Sequence, residues 1–177
     1  MPKVYLTVPG VTNSSKNHWQ SRWEREFPER FRRIEQNEWD TPVCSDWIAK
    51  IESDVQAADP ENVVLVAHSL GCTAVAQWAA KYRTRIAGAL LVAPSDVEAE
   101  TYMFDTKGFA PIPLEPLPFR SIVVASTNDE YVSFERARFF ADAWGSDFVN
   151  VGKKGHINPG CGYGEWNEGL DLLKRLG

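Results

Sequence analysis

The sequence predicts an α/β protein, a three-layer αβα sandwich with a mostly parallel sheet of about six strands. Two observations predict it: apolar segments of strand length recur along the chain, and amphipathic helical patterns lie between them. Strands that alternate with helices favour parallel pairing through right-handed crossovers. The 177 residues are 44% hydrophobic and 24% charged, which is ordinary for a globular chain. We therefore expect a single domain over residues 1–177.

Six segments are predicted to form the strands. They are residues 3–8, 31–35, 62–67, 87–93, 121–126 and 147–151. The third is apolar over nearly all of its length, a pattern typical of a strand that is buried on both faces.

Two helices are predicted before the third strand. Trp19, Trp23 and Phe27 fall at i, i+4 and i+8, the spacing of one helix face. Thr41 and Pro42 match an N-cap followed by proline at the first helical position, so a second helix is expected to begin there.

Three more helical patterns follow. One, at residues 77–80, comes soon after the third strand. Another has apolar residues at helical spacing over residues 137–144 and is followed by Gly145, a residue that commonly ends helices. The last runs from Trp166 to Leu176.

Residues 95–119 interrupt this alternation. Pro111, Pro113, Pro116 and Pro118 exclude a regular helix or a central strand. The segment would connect two strands at the side where parallel sheets carry their active sites. We interpret it as the rim or minimal lid of a site, with a solvated surface connection as the alternative.

The most informative feature is the serine at the end of the third strand. Ser69 follows an apolar run and precedes a helical pattern. A serine at so sharp a turn exposes its hydroxyl, and the first helical N–H groups face the atom that it attacks. The pattern G-x-S-x-G is present except that Ala67 replaces the first glycine, which crowds the turn slightly. We expect Ser69 to be a nucleophile.

A serine nucleophile needs a base, and the chain has three histidines. His68 adjoins Ser69, where neighbouring side chains diverge, so we expect a structural role. His18 precedes the nucleophile in the chain. His156 follows the last strand, in the order serine, acid, histidine that such hydrolytic sites use. We therefore expect His156 to be the base; a structural or surface histidine is the alternative.

Two carboxylates follow neighbouring strands and could orient that histidine. Asp129 follows the fifth strand and Asp96 follows the fourth. A short reach to the imidazole is easier from Asp129, so it is the preferred acid and Asp96 the alternative. Asp129 could also be a turn residue only.

Backbone N–H groups should stabilise the oxyanion. We expect these donors at Leu70, directly after the nucleophile, and at Val11, in the loop after the first strand. Gly10 permits close approach there and is the second choice. The alternative for this loop is a tight turn with no ligand role.

A substrate pocket is expected beside the nucleophile. Gly10, His18, Trp19 and Trp166 belong to segments near the predicted edge and are candidates for its lining. Core packing is the alternative for both tryptophans.

Composition excludes several classes of function. The net charge of −5 and the scattered basic residues argue against nucleic acid binding. No apolar run approaches the roughly 18 residues of a membrane span. No histidine–carboxylate spacing indicates a metal, and residues 160–164 lack the pattern of a phosphate loop, so we expect no cofactor.

The cysteines and the first residues bear on the cellular compartment. The three cysteines, Cys44, Cys72 and Cys161, are odd in number and far apart, as expected of a reduced, cytoplasmic protein. A strand begins almost at once, which leaves no room for a signal peptide. A monomer or small homo-oligomer fits these observations.

Short segments over nearly the whole chain match a known family. They are residues 8–10, 18–19, 36–42, 68–72, 91–94, 117–119, 126–129, 144–145, 155–158 and 164–166. On these segments the chain resembles the small serine hydrolases that include retinoblastoma-binding protein 9 and the YdeN-type proteins, a compact branch of the α/β-hydrolases. The resemblance implies a triad of Ser69, Asp129 and His156, no large cap domain, and esterase-like or amidase-like activity.

We therefore expect a serine hydrolase, most similar to carboxylesterases, that cleaves a small ester, thioester or amide through an acyl-enzyme. The alternative is a catalytically silent hydrolase fold that binds a ligand or a protein. The name of the family also suggests a protein that binds retinoblastoma-type pockets, which recognise an L-x-C-x-E string. The nearest match here, residues 70–74, lacks the glutamate, so we discount this role.

Overall fold

The six predicted strands are all present in the computed structural model, which describes residues 2–176. They are β1 (Val4–Val8), β2 (Phe31–Arg33), β3 (Val63–His68), β4 (Gly88–Val92), β5 (Ser121–Ala125) and β6 (Asp147–Asn150). They form one sheet in the order β2-β1-β3-β4-β5-β6, and every neighbouring pair is parallel. The α/β architecture predicted from the sequence is confirmed.

Helices cover both faces of this sheet. They are α1 (Trp19–Glu26), α2 (Cys44–Ala57), α3 (Leu70–Tyr82), α4 (Phe134–Trp144) and α5 (Asn167–Leu173). Buried residues of α2, α3 and α4 pack on one face, and those of α1 and α5 pack on the other. Residues 63–68 of β3 are buried throughout, because alternate side chains of this central strand enter the two apolar layers. The three layers are therefore those that the sequence predicts.

The predicted start of the second helix is wrong. Helix α2 begins at Cys44 with Val43 as its N-cap, and Thr41 and Pro42 lie before it. Val43 forms a parallel β-bridge with Lys107, whose N–H also donates to the carbonyl oxygen of Pro42. The segment is therefore held extended by residues of the 95–119 loop, and the helix starts only after this contact.

The parallel register brings the carboxyl ends of the strands to one edge. Val8 of β1 lies beside Ala67 of β3, and His68 lies beside Val92 of β4. The loops that follow β1, β3, β4, β5 and β6 therefore begin on the same side of the sheet. Ser69, Asp129 and His156 all follow strands that end at this edge.

Candidate active site

Ser69 stands between β3 and α3 in a strained backbone conformation. Its φ of 59° and ψ of −126° lie in a region that residues with a side chain rarely adopt. Its N–H donates to the carbonyl oxygen of Val92 at the end of β4, at 3.0 Å. The turn thus forms despite Ala67 in place of a glycine, and it is held by the neighbouring strand.

Two glycines let other segments approach this turn. A Cβ at Gly71 would lie 2.1 Å from the carbonyl oxygen of Val8, so only glycine permits α3 to start so close to β1. A Cβ at Gly10 would lie 2.8 Å from the Cβ of Ser69 and 3.2 Å from the backbone nitrogen of Leu70. The loop after β1 therefore packs directly against the serine turn.

Three of the predicted side chains meet in a continuous hydrogen-bonded chain. The Nε2 of His156 lies 2.8 Å from the Oγ of Ser69. The Nδ1 of the same ring lies 2.9 and 3.0 Å from the two carboxylate oxygens of Asp129. Asp129 follows β5 and His156 follows β6, and both side chains are buried. The fold thus brings together residues that are up to 87 positions apart.

The partners of His156 determine the roles of its two ring nitrogens. Since a carboxylate accepts, Nδ1 is the donor to Asp129, and in the neutral tautomer with this proton Nε2 accepts from Ser69. The Oγ of Ser95 lies 2.8 Å from the Oγ of Ser69. Because the Ser69 proton is already donated to the imidazole, Ser95 is the donor in this second contact. Ser69 therefore accepts one hydrogen bond and donates another.

Ser95 is a site residue that the sequence reasoning missed. It lies just beyond β4, next to the strand that carries Ser69, and it is buried. Its position directly after a buried strand, at the carboxyl edge of the sheet, could have indicated a site residue. The sequence reasoning considered only its neighbour Asp96, as a candidate acid.

The loops that carry the acid and the histidine are bonded to each other. The Oδ1 of Asn128 accepts from the hydroxyl of Ser126 at 2.9 Å and from the N–H of Gly155 at 2.8 Å. The Oγ of Ser126 accepts from the N–H of Lys154 at 2.9 Å. Two polar residues directly after β5 thus hold the segment that leads to His156.

The two candidate acids have different partners. Asp129 contacts His156, and its Oδ1 also accepts from the N–H of Tyr131 at 2.9 Å. Asp129 therefore also makes the side-chain-to-backbone bond of a turn residue. Asp96 instead forms an ion pair with Arg136 of α4, with 3.1 Å between Oδ2 and Nε. The geometry therefore favours Asp129 as the partner of the imidazole.

His68 supports the site from behind. Its Nε2 donates to the carbonyl oxygen of His156 at 2.8 Å. Burial lowers the pKa of His68 well below its ordinary value, so the ring is neutral. This contact holds the backbone of His156, in agreement with the structural role expected from the sequence.

The two residues expected to supply oxyanion donors adjoin the contact between Gly10 and the serine turn: Leu70 follows Ser69, and Val11 follows Gly10. The backbone N–H groups of Leu70 and Val11 have no hydrogen-bond partner among residues 2–176. Val11 and Gly10 both line the cavity above the serine. The loop also makes a tight turn, in which the N–H of Asn13 donates to the carbonyl oxygen of Gly10 at 3.2 Å.

A cavity of about 320 Å³ opens above Ser69. Its wall comes from the loops after five strands: Gly10, Val11, Thr12, Asn13, Ser15, His18, His68, Ser69, Ser95, Tyr102, Phe104, Tyr131, His156, Asn158, Pro159 and Gly160. Tyr102 and Phe104 belong to residues 95–119, which agrees with the interpretation of this segment as a rim.

The prediction that Trp19 and Trp166 line the pocket is wrong. Their exposed fractions are 0% and 2%, and their rings lie 5.1 Å apart in the core beneath the site. The Nε1–H of Trp19 donates to the carbonyl oxygen of Ile157 at 2.9 Å. At the start of α1, His18 forms part of the cavity wall, whereas Trp19 packs in the apolar layer against the sheet. Trp19 thus supports the histidine loop without lining the cavity.

His18 lines the cavity as predicted and caps α1. Its Nδ1 accepts from the N–H of Gln20 at 3.2 Å. Burial lowers the pKa of His18 to about 3, with smaller contributions from Arg33 and His156. The ring is therefore neutral, and its proton lies on Nε2.

The described part of the chain has neither a metal-binding cluster nor a membrane-spanning helix. Within residues 2–176, no group of three or more His, Cys, Asp or Glu residues is placed to hold a metal ion. In the same part of the chain, no helix combines the length and apolarity that crossing a membrane requires.

We predict that Ser69→Gly is more stable than Ser69→Ala by about 1 kcal/mol or more, because both lose the hydroxyl but only glycine relieves the positive φ. Urea unfolding of the two variants measures the difference. Equal stabilities would contradict the prediction, because the relieved strain would then only offset the greater unfolded-state entropy of glycine, about 0.5–1 kcal/mol.

We also predict a pH-dependent contribution from His18. Below its ordinary pKa of 6.5 the unfolded chain binds a proton, whereas the folded ring binds one only near pH 3, so acid stabilises the unfolded state. Between pH 7.5 and pH 5 the wild type should lose about 2 kcal/mol more unfolding free energy than His18→Asn, a variant that keeps the cap. Parallel pH profiles of urea unfolding would contradict this.

Comparisons with known proteins identify the family of this chain. The family model described as serine hydrolase matches residues 5–175. No curated protein sequence matches the chain significantly. Among solved structures, a protein of Pectobacterium atrosepticum described as a YdeN-like hydrolase is 35% identical, with a TM-score of 0.87 over 99% of this chain and 90% of that one.

More distant structures share the fold. The YdeN protein of Bacillus subtilis is 23% identical, with a TM-score of 0.76 over 99% of this chain and 98% of that one. Est1E of Butyrivibrio proteoclasticus, solved with ferulic acid, is 15% identical, with a TM-score of 0.67 over 98% and 85%. The resemblance to YdeN-type proteins is thus confirmed, and the chain belongs to the serine hydrolase family.

Proposed function

We propose that this protein is a carboxylesterase-like hydrolase that cleaves a small carboxylic ester, thioester or amide through an acyl-enzyme. In this proposal Ser69 is the nucleophile, His156 the general base and acid, and Asp129 the residue that orients the imidazole. One observation carries the proposal: the unbroken hydrogen-bonded chain from Asp129 through His156 to Ser69, which ends in an open cavity.

The first half of the reaction forms the acyl-enzyme. The Oγ of Ser69 attacks the substrate carbonyl carbon while the Nε2 of His156 takes its proton. Asp129 stabilises the imidazolium that results. When the tetrahedral intermediate collapses, His156 gives this proton to the leaving alcohol, thiol or amine. The bond between the carbonyl carbon and the leaving group breaks, and the acyl group stays on Ser69.

The second half uses the same groups on water. A water molecule attacks the acyl carbon while His156 takes one of its protons. The bond between the acyl carbon and the Oγ of Ser69 then breaks, and His156 returns the proton to this oxygen as the acid leaves. Release of the carboxylic acid restores the initial hydrogen bonds.

The two tetrahedral intermediates need donors for their negative oxygen. We assign this role to the backbone N–H groups of Leu70 and Val11, because both lack partners and both lie where the loop after β1 meets the serine turn. Leu70 is also the first residue of α3, so the partial positive charge of the helix N-terminus adds to the stabilisation.

We predict that Ser69→Ala lowers the rate of hydrolysis of p-nitrophenyl acetate by at least about a thousandfold, because the nucleophile is removed. A fluorophosphonate probe should label the wild type and not this variant, with the label mapped to Ser69 and not to Ser95 by mass spectrometry. Cys161→Ser is the matched control, since Cys161 is an exposed thiol that could react with activated esters. Turnover that survives in Ser69→Ala would refute the proposal, and a wild type without turnover or label would favour a binding protein.

A second prediction separates the two acids. Asp129→Asn should reduce kcat/KM by about four orders of magnitude, because an amide does not hold the imidazole in the required tautomer. Asp96→Asn should change kcat/KM little and lower the unfolding free energy by no more than about 1 kcal/mol, since it weakens only the ion pair with Arg136. Urea unfolding confirms that both variants are folded. A larger kinetic loss in Asp96→Asn would reverse the assignment.

A further inference from the structure

Two buried polar atoms lack partners in this structure, and both belong to the cavity of Ser69. Within residues 2–176, the Nε2 of His18 and the hydroxyl of Tyr102 are the buried side-chain nitrogen and oxygen atoms without a hydrogen bond. Both residues line the cavity, but the two atoms themselves are covered in this structure, so a substrate oxygen reaches them only after a small movement of the lining side chains. Native proteins rarely leave a buried polar group unpaired, because its lost hydration is then not replaced.

The His18 atom is a neutral donor. Its Nδ1 is occupied by the N–H of Gln20, so Nε2 carries the hydrogen. The ring packs against His68 at 4.7 Å and Trp19 at 5.1 Å between ring centroids. A flip of the ring would break the helix cap, so His18 keeps this orientation and its N–H stays available.

The Tyr102 atom is also a neutral donor. Burial raises the pKa of Tyr102 to about 12, although Thr106, which lies nearby without completing a hydrogen bond, acts in the opposite direction. The ring packs on Phe104 at 5.6 Å, Phe104 packs on Tyr131 at 5.7 Å, and Tyr131 lies edge-on to His156 at 4.5 Å. The rim segment thus places Tyr102 in the wall of the same cavity.

The wall of the cavity is polar but uncharged. Among the described residues, those that line it include no Lys, Arg, Asp or Glu. Its polar members other than the histidines, serine nucleophile and tyrosines are Thr12, Asn13, Ser15, Ser95 and Asn158. A charged ligand would lose its hydration without gaining an opposite charge, which is costly. A purely apolar ligand would leave the two buried donors unpaired.

We propose that the cavity selects small, uncharged, polar substrates, and that His18 and Tyr102 donate hydrogen bonds to an oxygen of the substrate other than its scissile carbonyl. Ether, hydroxyl and amide carbonyl oxygens are acceptors of this class. The inference rests on the proposed function, of which it names the substrate class. The two neutral hydrogen bonds together favour such a substrate about tenfold.

The experiment compares esters that differ by one atom. p-Nitrophenyl methoxyacetate and p-nitrophenyl butyrate have the same acyl length, with an ether oxygen in place of a methylene. Dividing each kcat/KM by the rate constant for hydrolysis of the same ester by hydroxide corrects for the different intrinsic reactivity of the two esters. 2-Methoxyethyl acetate and butyl acetate make the same comparison on the alcohol side, and p-nitrophenyl hemisuccinate adds a negative charge. The wild type should prefer the ether about tenfold on one side at least, and the anion should be the poorest substrate.

Three variants test the two donors. Tyr102→Phe removes only the hydroxyl. His18→Asn keeps an oxygen that can cap α1 but removes the Nε2 donor, and His18→Phe keeps a ring of similar size. Each should reduce the ether preference at least threefold, with the change in KM and not in kcat. Tyr163→Phe, a tyrosine that does not line the cavity, is the control and should keep the wild-type preference. Circular dichroism confirms folding, and Tyr102→Phe remains informative if a His18 variant is unstable.

The outcomes separate this inference from the proposed function. Normal hydrolysis with no ether preference, or a preference that every variant retains, overturns the inference alone. Absence of Ser69-dependent hydrolysis of all esters overturns the proposed function. In that case, NMR titration of Ser69→Ala with 2-methoxyethyl acetate and butyl acetate still decides the inference: the ether should bind at least threefold more tightly, and equal affinities would refute it.

Discussion

The positive φ of Ser69 is the constraint on which the rest of the site depends. A side chain at this backbone conformation persists only because the surroundings hold it. Its N–H is bonded to Val92 on β4, and the glycines at positions 10 and 71 let the end of β1 pack against the same turn. Three neighbouring strands thus fix one residue, which projects its hydroxyl from the edge of the sheet and starts a helix behind it.

The parallel sheet then makes a short path from this hydroxyl to the acid. Ser95, Asp129 and His156 follow β4, β5 and β6, which are neighbours in the sheet. Each loop needs to reach only its neighbour, and the contacts of Ser126 and Asn128 join two of the loops directly. The bonds that cross between these two loops run from the backbone N–H groups of Lys154 and Gly155 to side-chain oxygens just beyond β5. The imidazole is therefore positioned by loops that the sheet anchors. A large inserted domain is not required for this geometry.

The sequence predicted what depends on local pattern. The strands β1, β3, β4 and β5 are mainly apolar runs, whereas β2 and β6 at the sheet edges contain charged or polar residues. The three members of the hydrogen-bonded chain each follow a strand of this parallel sheet, so topology was enough to bring them together. The features it missed depend on distant contacts. The start of α2 is set by the pairing of Val43 with Lys107, which lies 64 positions further along the chain. The sequence around Pro42 does not indicate this contact. Tyr102 reaches the cavity from a segment without periodicity, and the burial of Trp19 depends on how α1 is rotated against the sheet.

The buried histidines also bear on the charge of the proposed intermediate. The rings of His18, His68 and His156 lie in a row, with centroids 4.7 and 4.8 Å apart. If either neighbour were protonated, its charge would oppose the positive charge that His156 acquires when it takes the serine proton. Burial lowers the pKa of both neighbours, so they stay neutral when His156 is charged. The carboxylate of Asp129 therefore acts on the imidazolium without competition from these rings, and the apolar packing beneath the site supports the proton transfer above it.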